Sequence, residues 1–238
     1  MHAMLRTILA LMVLAALVVP AAPAVADTGP GGPSYHLRAW NLGADAVWTT
    51  FPADGVAVPG VVYTDTFVFV SEDGGRDNGT VFHGNVLFFD QVSYRFDQRG
   101  NYVPLPSVSG GAADSDLDMS VDRRLTSASV TATVQYTNVC WYREHSGSAS
   151  WYEQYACGYG IGSVSASWAG QGDLVRQAEN STDVTKVYTR TTRGTFTTRD
   201  ATVTGSWNGD PMIGYLASAK ILDSTLRDIF MCHGAETC

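Results

Sequence analysis

Long apolar runs are scarce in this chain. The one near the start, Ile8 to Val19, has 12 residues, whereas a helix that crosses a bilayer needs about 20. It follows the basic Arg6 and leads into Ala24, Val25 and Ala26, small residues suited to a cleavage site. Residues 1–26 therefore read as a secretory signal peptide, and the mature chain is expected to start at Asp27 and to be secreted and extracellular. No cysteine lies near the cleavage point to carry a lipid, and no second long apolar segment follows, so no membrane span is expected.

Bases are short relative to acids: 15 Lys and Arg stand against 23 Asp and Glu, a net charge of −8. Removing the leader takes away Arg6 and no acid, which makes it −9. Nucleic acid and anionic membrane both require a basic surface, so neither is an expected partner. Local motifs of catalysis are missing too: there is no Gly-x-Ser-x-Gly, no His-Glu-x-x-His and no nucleotide-binding glycine loop. This leaves open a catalytic site whose residues meet only in space. Cysteines number four, all in the mature part. An even count in an oxidising compartment implies two disulfides, and the local pairing Cys140–Cys157 with Cys232–Cys238 is preferred among the three arrangements.

What the chain does have is alternation. From 127 to 136, Ala128, Val130, Ala132, Val134 and Tyr136 alternate with Ser, Thr and Gln, and Val164, Ala166 and Trp168 do the same further on. This is the period of strands with one buried face. The two arms are expected to form a hairpin turning at 146–150, with Cys140 opposite Cys157 and Val134 opposite Val164. Those two registers differ by one residue, so a β-bulge is expected in the run holding Gly158, Gly160 and Gly162.

Further strands are expected at 35–40, 46–51, 61–70, 80–89 (running on to 96), 184–190 and 195–207. Polar loops are expected at 72–79 and 171–183, and a long irregular connection at 101–122. Segment 212–231 is readable as a strand or as one short helix, with poor helix residues at Gly214 and Ser218 favouring the strand. The fold class is all-β: an antiparallel sandwich, with a barrel as the alternative, stapled by disulfides. The domain division is 1–26 signal peptide, 27–34 flexible Gly/Pro linker and 35–238 single β domain.

Candidate chemistry is of three kinds. Asp114, Asp116, Asp118 and Asp122 are spaced so that they could wrap a Ca²⁺, although Met119 and Leu125 stand where an EF-hand needs Gly and Glu; the competing reading is a solvated acidic loop. His83, in an apolar strand and expected to be buried beside a carboxylate, is a catalytic candidate with Glu144 and His145. The aromatics Trp141, Tyr142, Trp151, Tyr152 and Tyr155 gather around the hairpin tip, where rings suit sugars and protein partners alike. Their competing reading is a small satellite core. A binding module for a polysaccharide or a protein partner is the leading function, ahead of a secreted hydrolase and a structural envelope-associated protein. A flat exposed strip of rings would favour the binder, and a pocket holding a buried His and a carboxylate would favour the enzyme. Asn78 and Asn180 head glycosylation tripeptides.

Overall fold

The computed structural model describes residues 34–146 and 149–233. The expected signal peptide, the expected linker up to residue 33 and Cys238 lie outside the described residues, so the expected Cys232–Cys238 pairing does too. The strands are β1 Ser34–Thr49, β2 Val62–Asp77, β3 Thr80–Phe96, β4 Tyr102–Pro104, β5 Ser107–Ala113, β6 Leu117–Val121, β7 Ser127–Ser146, β8 Ala149–Val184, β9 Tyr188–Trp207, β10 Asp210–Pro211 and β11 Tyr215–Cys232. A 3-10 turn at Asp114–Asp116 separates β5 from β6. No helix among the described residues is long and apolar enough to cross a membrane.

The all-β antiparallel class holds, and strand pairing selects the barrel over the sandwich. All eleven strands belong to one sheet. Followed neighbour to neighbour, β1, β2, β3, β5, β7, β8, β9 and β11 pair in turn, and β11 pairs back to β1. The ring is incomplete along one side, because β3 pairs with β5 only from Val86 to Gln91. The apolar alternation of each strand faces inward: Leu42, Ala44, Ala46, Val68, Val70, Leu87, Phe89, Val134, Val164, Trp168 and Ile221 belong to one buried cluster. Trp168 Nε1–H donates to the Asp45 carbonyl at 2.8 Å, joining β8 to β1 through the interior. A second cluster, Tyr63, Tyr94 and Phe96 with Phe51 and Ala57, lies under the loop between β1 and β2.

Several expected loops are strand. The segments 35–40 and 46–49 belong to the single strand β1, which ends before Thr50 and Phe51, and 184–207 is split only at 185–187. The polar stretches 72–79 and 171–183 continue β2 and β8 as hairpin arms. A two-residue turn closes the first of these, Asn78 and Gly79 having φ 45° and 90°, the left-handed pair that such hairpins require. Most of 101–122 is β4, β5 and β6. The C-terminal segment is the strand β11 and no helix, since Ala219 and Ile221 point into the core at period two.

The expected bulge exists but sits elsewhere. Val134 faces Gly162 rather than Val164, and Cys140 faces Tyr155 rather than Cys157. The register shifts between Asn138 (opposite Gly158) and Val139 (opposite Ala156), so the extra residue is Cys157 itself. The glycines serve packing instead. A Cβ on Gly160 would lie 2.4 Å from the Tyr136 ring, and one on Gly162 would lie 2.3 Å from Trp207.

Candidate functional site

The β7–β8 hairpin projects beyond one end of the barrel, and its register sorts the aromatic side chains by face. Cys140 is opposite Tyr155, Tyr142 opposite Glu153 and Glu144 opposite Trp151. Directly opposed residues of an antiparallel pair share a face, as do alternate residues along a strand. Tyr142, Trp151 and Tyr155 therefore lie together with Glu144 and Glu153, while Trp141, Arg143, Tyr152 and His145 take the other side. The three rings are 46%, 43% and 49% exposed, which removes the satellite-core reading for them. Tyr142 and Tyr155 have ring centroids 5.8 Å apart, inclined at 56°. Trp151 Nε1–H donates to Glu153 Oε1 at 2.7 Å, which fixes the indole on the strand surface.

The Cys140–Cys157 disulfide, with Cα atoms 5.7 Å apart, clamps the base of this face. On the opposite face Trp141 and Tyr152 are half-buried, and the Trp141 indole N–H is buried without a partner among the described residues. Arg143 donates from its guanidinium to Ser150 Oγ at 2.8 Å. Tyr159 and Ile161, 80% and 73% exposed, are further apolar surface that sequence reasoning missed. Their signal was the alternation with Gly158, Gly160 and Gly162, whose missing side chains mark the inward face.

The catalytic candidates do not converge. Glu144 and His145 are neighbours at the hairpin tip on opposite faces, whereas His83 lies near the start of β3, at the other end of the barrel. His83 does meet a carboxylate: its Nε2 is 3.0 Å from Glu72 Oε1, and its ring is 5.9 Å from Trp40. The pair is not buried as expected, the His83 side chain being 56% exposed, because β2 and β3 run past the closed part of the barrel here. Nearby, Asn85 N–H donates to Asp114 Oδ1 at 3.0 Å. The Asn85 side-chain oxygen is buried and unpartnered among the described residues.

The four aspartates are likewise spread out. Asp114 and Asp116 lie in the 3-10 turn and Asp118 on β6. Asp122 accepts from the Thr126 hydroxyl and from Arg124 N–H, bonds that hold its carboxyl below the usual range. Among the described residues no group of three or more His, Cys, Asp or Glu is placed to hold a metal ion.

No protein-family model matches the chain, and no curated protein does. Among solved structures, an acetoacetate decarboxylase-like enzyme from Sphingomonas wittichii RW1 is similar with a TM-score of 0.29 and 8% identity, over 88% of this chain and 96% of that one. A likeness that slight carries neither fold nor activity.

Proposed function

We propose that the protein is a secreted binding module that recognises a glycan through the exposed aromatic face of the β7–β8 hairpin. The observation that carries this is the co-facial placement of Tyr142, Trp151 and Tyr155, each more than two-fifths exposed, beside Glu144 and Glu153. Rings offer flat apolar area to the C–H faces of sugars, and adjacent carboxylates accept hydrogen bonds from hydroxyls. A disulfide at the base of the hairpin limits the entropy lost on binding. Export rests on the leader at 1–26.

The test is retention of the mature protein on insoluble polysaccharides and cell walls, with Trp151→Ala alongside. The expected result is loss of retention with a stability change within about 1 kcal/mol, since an exposed ring leaves no cavity. A stable Trp151→Ala protein that is retained as well as the parent removes the hairpin as the site. Capture of a protein but no glycan would transfer the same face to a protein partner.

A further inference from the structure

At the end of the barrel opposite the hairpin tip, the sheet carries an unusual row. Arg193 of β9 pairs with Arg227 of β11, Arg227 with Arg38 of β1, and Arg38 with Arg76 of β2. Four adjacent strands thus set an arginine at the same level, and directly opposed residues point to the same side. That side continues the barrel interior. In the next row inward, Thr195 and Thr225 bond through their hydroxyls at 2.8 Å, and the Trp40 ring lies against Gly74. All four arginines are exposed, and none has an ion-pair partner among the described residues. A pocket of about 280 Å³ is bounded by Arg38, Arg76, Arg227, His36 and Ile229, with no carboxylate among the described residues of its wall. The carboxylates of Asp77 and Asp228 are on the other face, where Asp228 is paired to Arg190 at 2.7 Å.

Like charges set directly opposite one another across strands destabilise a sheet. Three such contacts in succession, in a chain of net charge −8, make a surface that lacks its counter-charge. We infer that this arginine row is a binding face for a linear anionic polysaccharide bearing carboxylate or sulfate groups along its length. Strands are spaced about 4.8 Å apart, so the row spans about 14 Å, too long for one small anion and suited to several charges in line. Guanidinium forks grip carboxylate and sulfate bidentately, which ammonium groups do not. The chain has only two lysines, Lys186 and Lys220, and neither is on the row. The neighbouring pocket of about 430 Å³, lined by Arg193 of the row and by one carboxylate, Glu179, adds Asn180, Thr195 and Thr225 as partners for sugar hydroxyls. Single-stranded nucleic acid would call for exposed aromatic platforms beside the charge. The ring next to the row, Trp40, is packed against the core with Arg123 over it.

The inference is independent of the aromatic hairpin, which lies at the other end of the molecule. The experiment titrates the mature protein with polygalacturonate and dextran sulfate, with neutral dextran, poly-glutamate and single-stranded DNA as comparisons. Binding to one of the two anionic polysaccharides, weakening as salt is raised, is expected. Arg38→Ala with Arg227→Ala should weaken it by at least roughly tenfold while leaving the melting temperature unchanged or raised. Trp151→Ala should leave it as it was. Should the double alanine protein fail to fold, Arg38→Lys with Arg227→Lys keeps the charge and loses the fork, and reduced affinity is again expected. Absence of polysaccharide binding at low salt, binding indifferent to these substitutions, or tighter binding to poly-glutamate or DNA would each overturn the inference.

Discussion

Asp45 shows how one residue couples this fold to pH. It stands on β1 between Phe69 of β2 and Lys220 of β11. Burial pushes its carboxyl from 3.8 up to about 6, and the Lys220 charge opposes this only in part. The folded state therefore holds this proton more tightly than the unfolded chain does. The resulting stability is fully present below the unfolded value and is lost as pH rises through about 6, an effect on the order of 1–3 kcal/mol. Asp65 and Asp90 are also raised by burial, against hydrogen bonds from Thr49 and Ser109. Asp45→Asn should thus be more stable than the parent at about pH 7, with a reduced but not abolished loss of stability on raising the pH from about 4. Urea melts at the two pH values check this, and identical pH slopes in parent and variant would exclude it. Asp45 itself was not legible as special, since an aspartate in an alternating strand reads as an outward polar residue. His83 was half legible: its apolar surroundings pointed correctly to a carboxylate partner, yet burial depends on where the barrel closes, which local sequence does not encode.

At the level of elements, the β7–β8 hairpin was read well because its signals are local. Alternation, a polar turn and two cysteines fix the pairing to within two residues. The residue that bulges was not decidable, since packing of Gly160 and Gly162 against Tyr136 and Trp207 settles it. The long arms of β2 and β8 were read as loops because Gly74, Gly75 and the polar run after Gly172 lack apolar alternation. Those residues are held by backbone pairing to neighbouring strands. The Asn78–Gly79 dipeptide did carry a hairpin signal, repeated at Asn208 and Gly209, where φ is 52° and 86°. Replacing Cys140 and Cys157 by serine opens a link between positions 17 apart and should cost about 3 kcal/mol in the chain-entropy account; a urea midpoint equal to the parent's would refute it. Gly162→Ala drives a methyl into the Trp207 indole and should destabilise by about 1–3 kcal/mol. The same change at Gly209, where φ is 86° and nothing lies within 4 Å, acts only through backbone strain.

For the whole molecule, closure makes the interior a single body. Buried residues from β1, β2, β3, β6, β7, β8, β9 and β11 form one cluster, to which β5 adds Val108 and Ala112. No expected strand boundary revealed this, because closure depends on pairings between strands far apart in sequence, such as β1 with β11. Trp168 tests it. Its indole is 2% exposed, and its N–H satisfies the Asp45 carbonyl on a strand that is not its neighbour in the sheet. Trp168→Phe keeps most of the apolar volume but removes this hydrogen bond across the interior, a loss of about 0.5–1.5 kcal/mol. Trp168→Ala adds a cavity and should cost about 3–5 kcal/mol. Because both ends of the barrel share this core, the phenylalanine variant should still unfold in one transition with an unchanged denaturant slope. Tryptophan fluorescence and far-ultraviolet circular dichroism should then give one midpoint, lowered equally for both. Two separated midpoints would mean that the ends fold apart and that the ring of strands is not one cooperative unit.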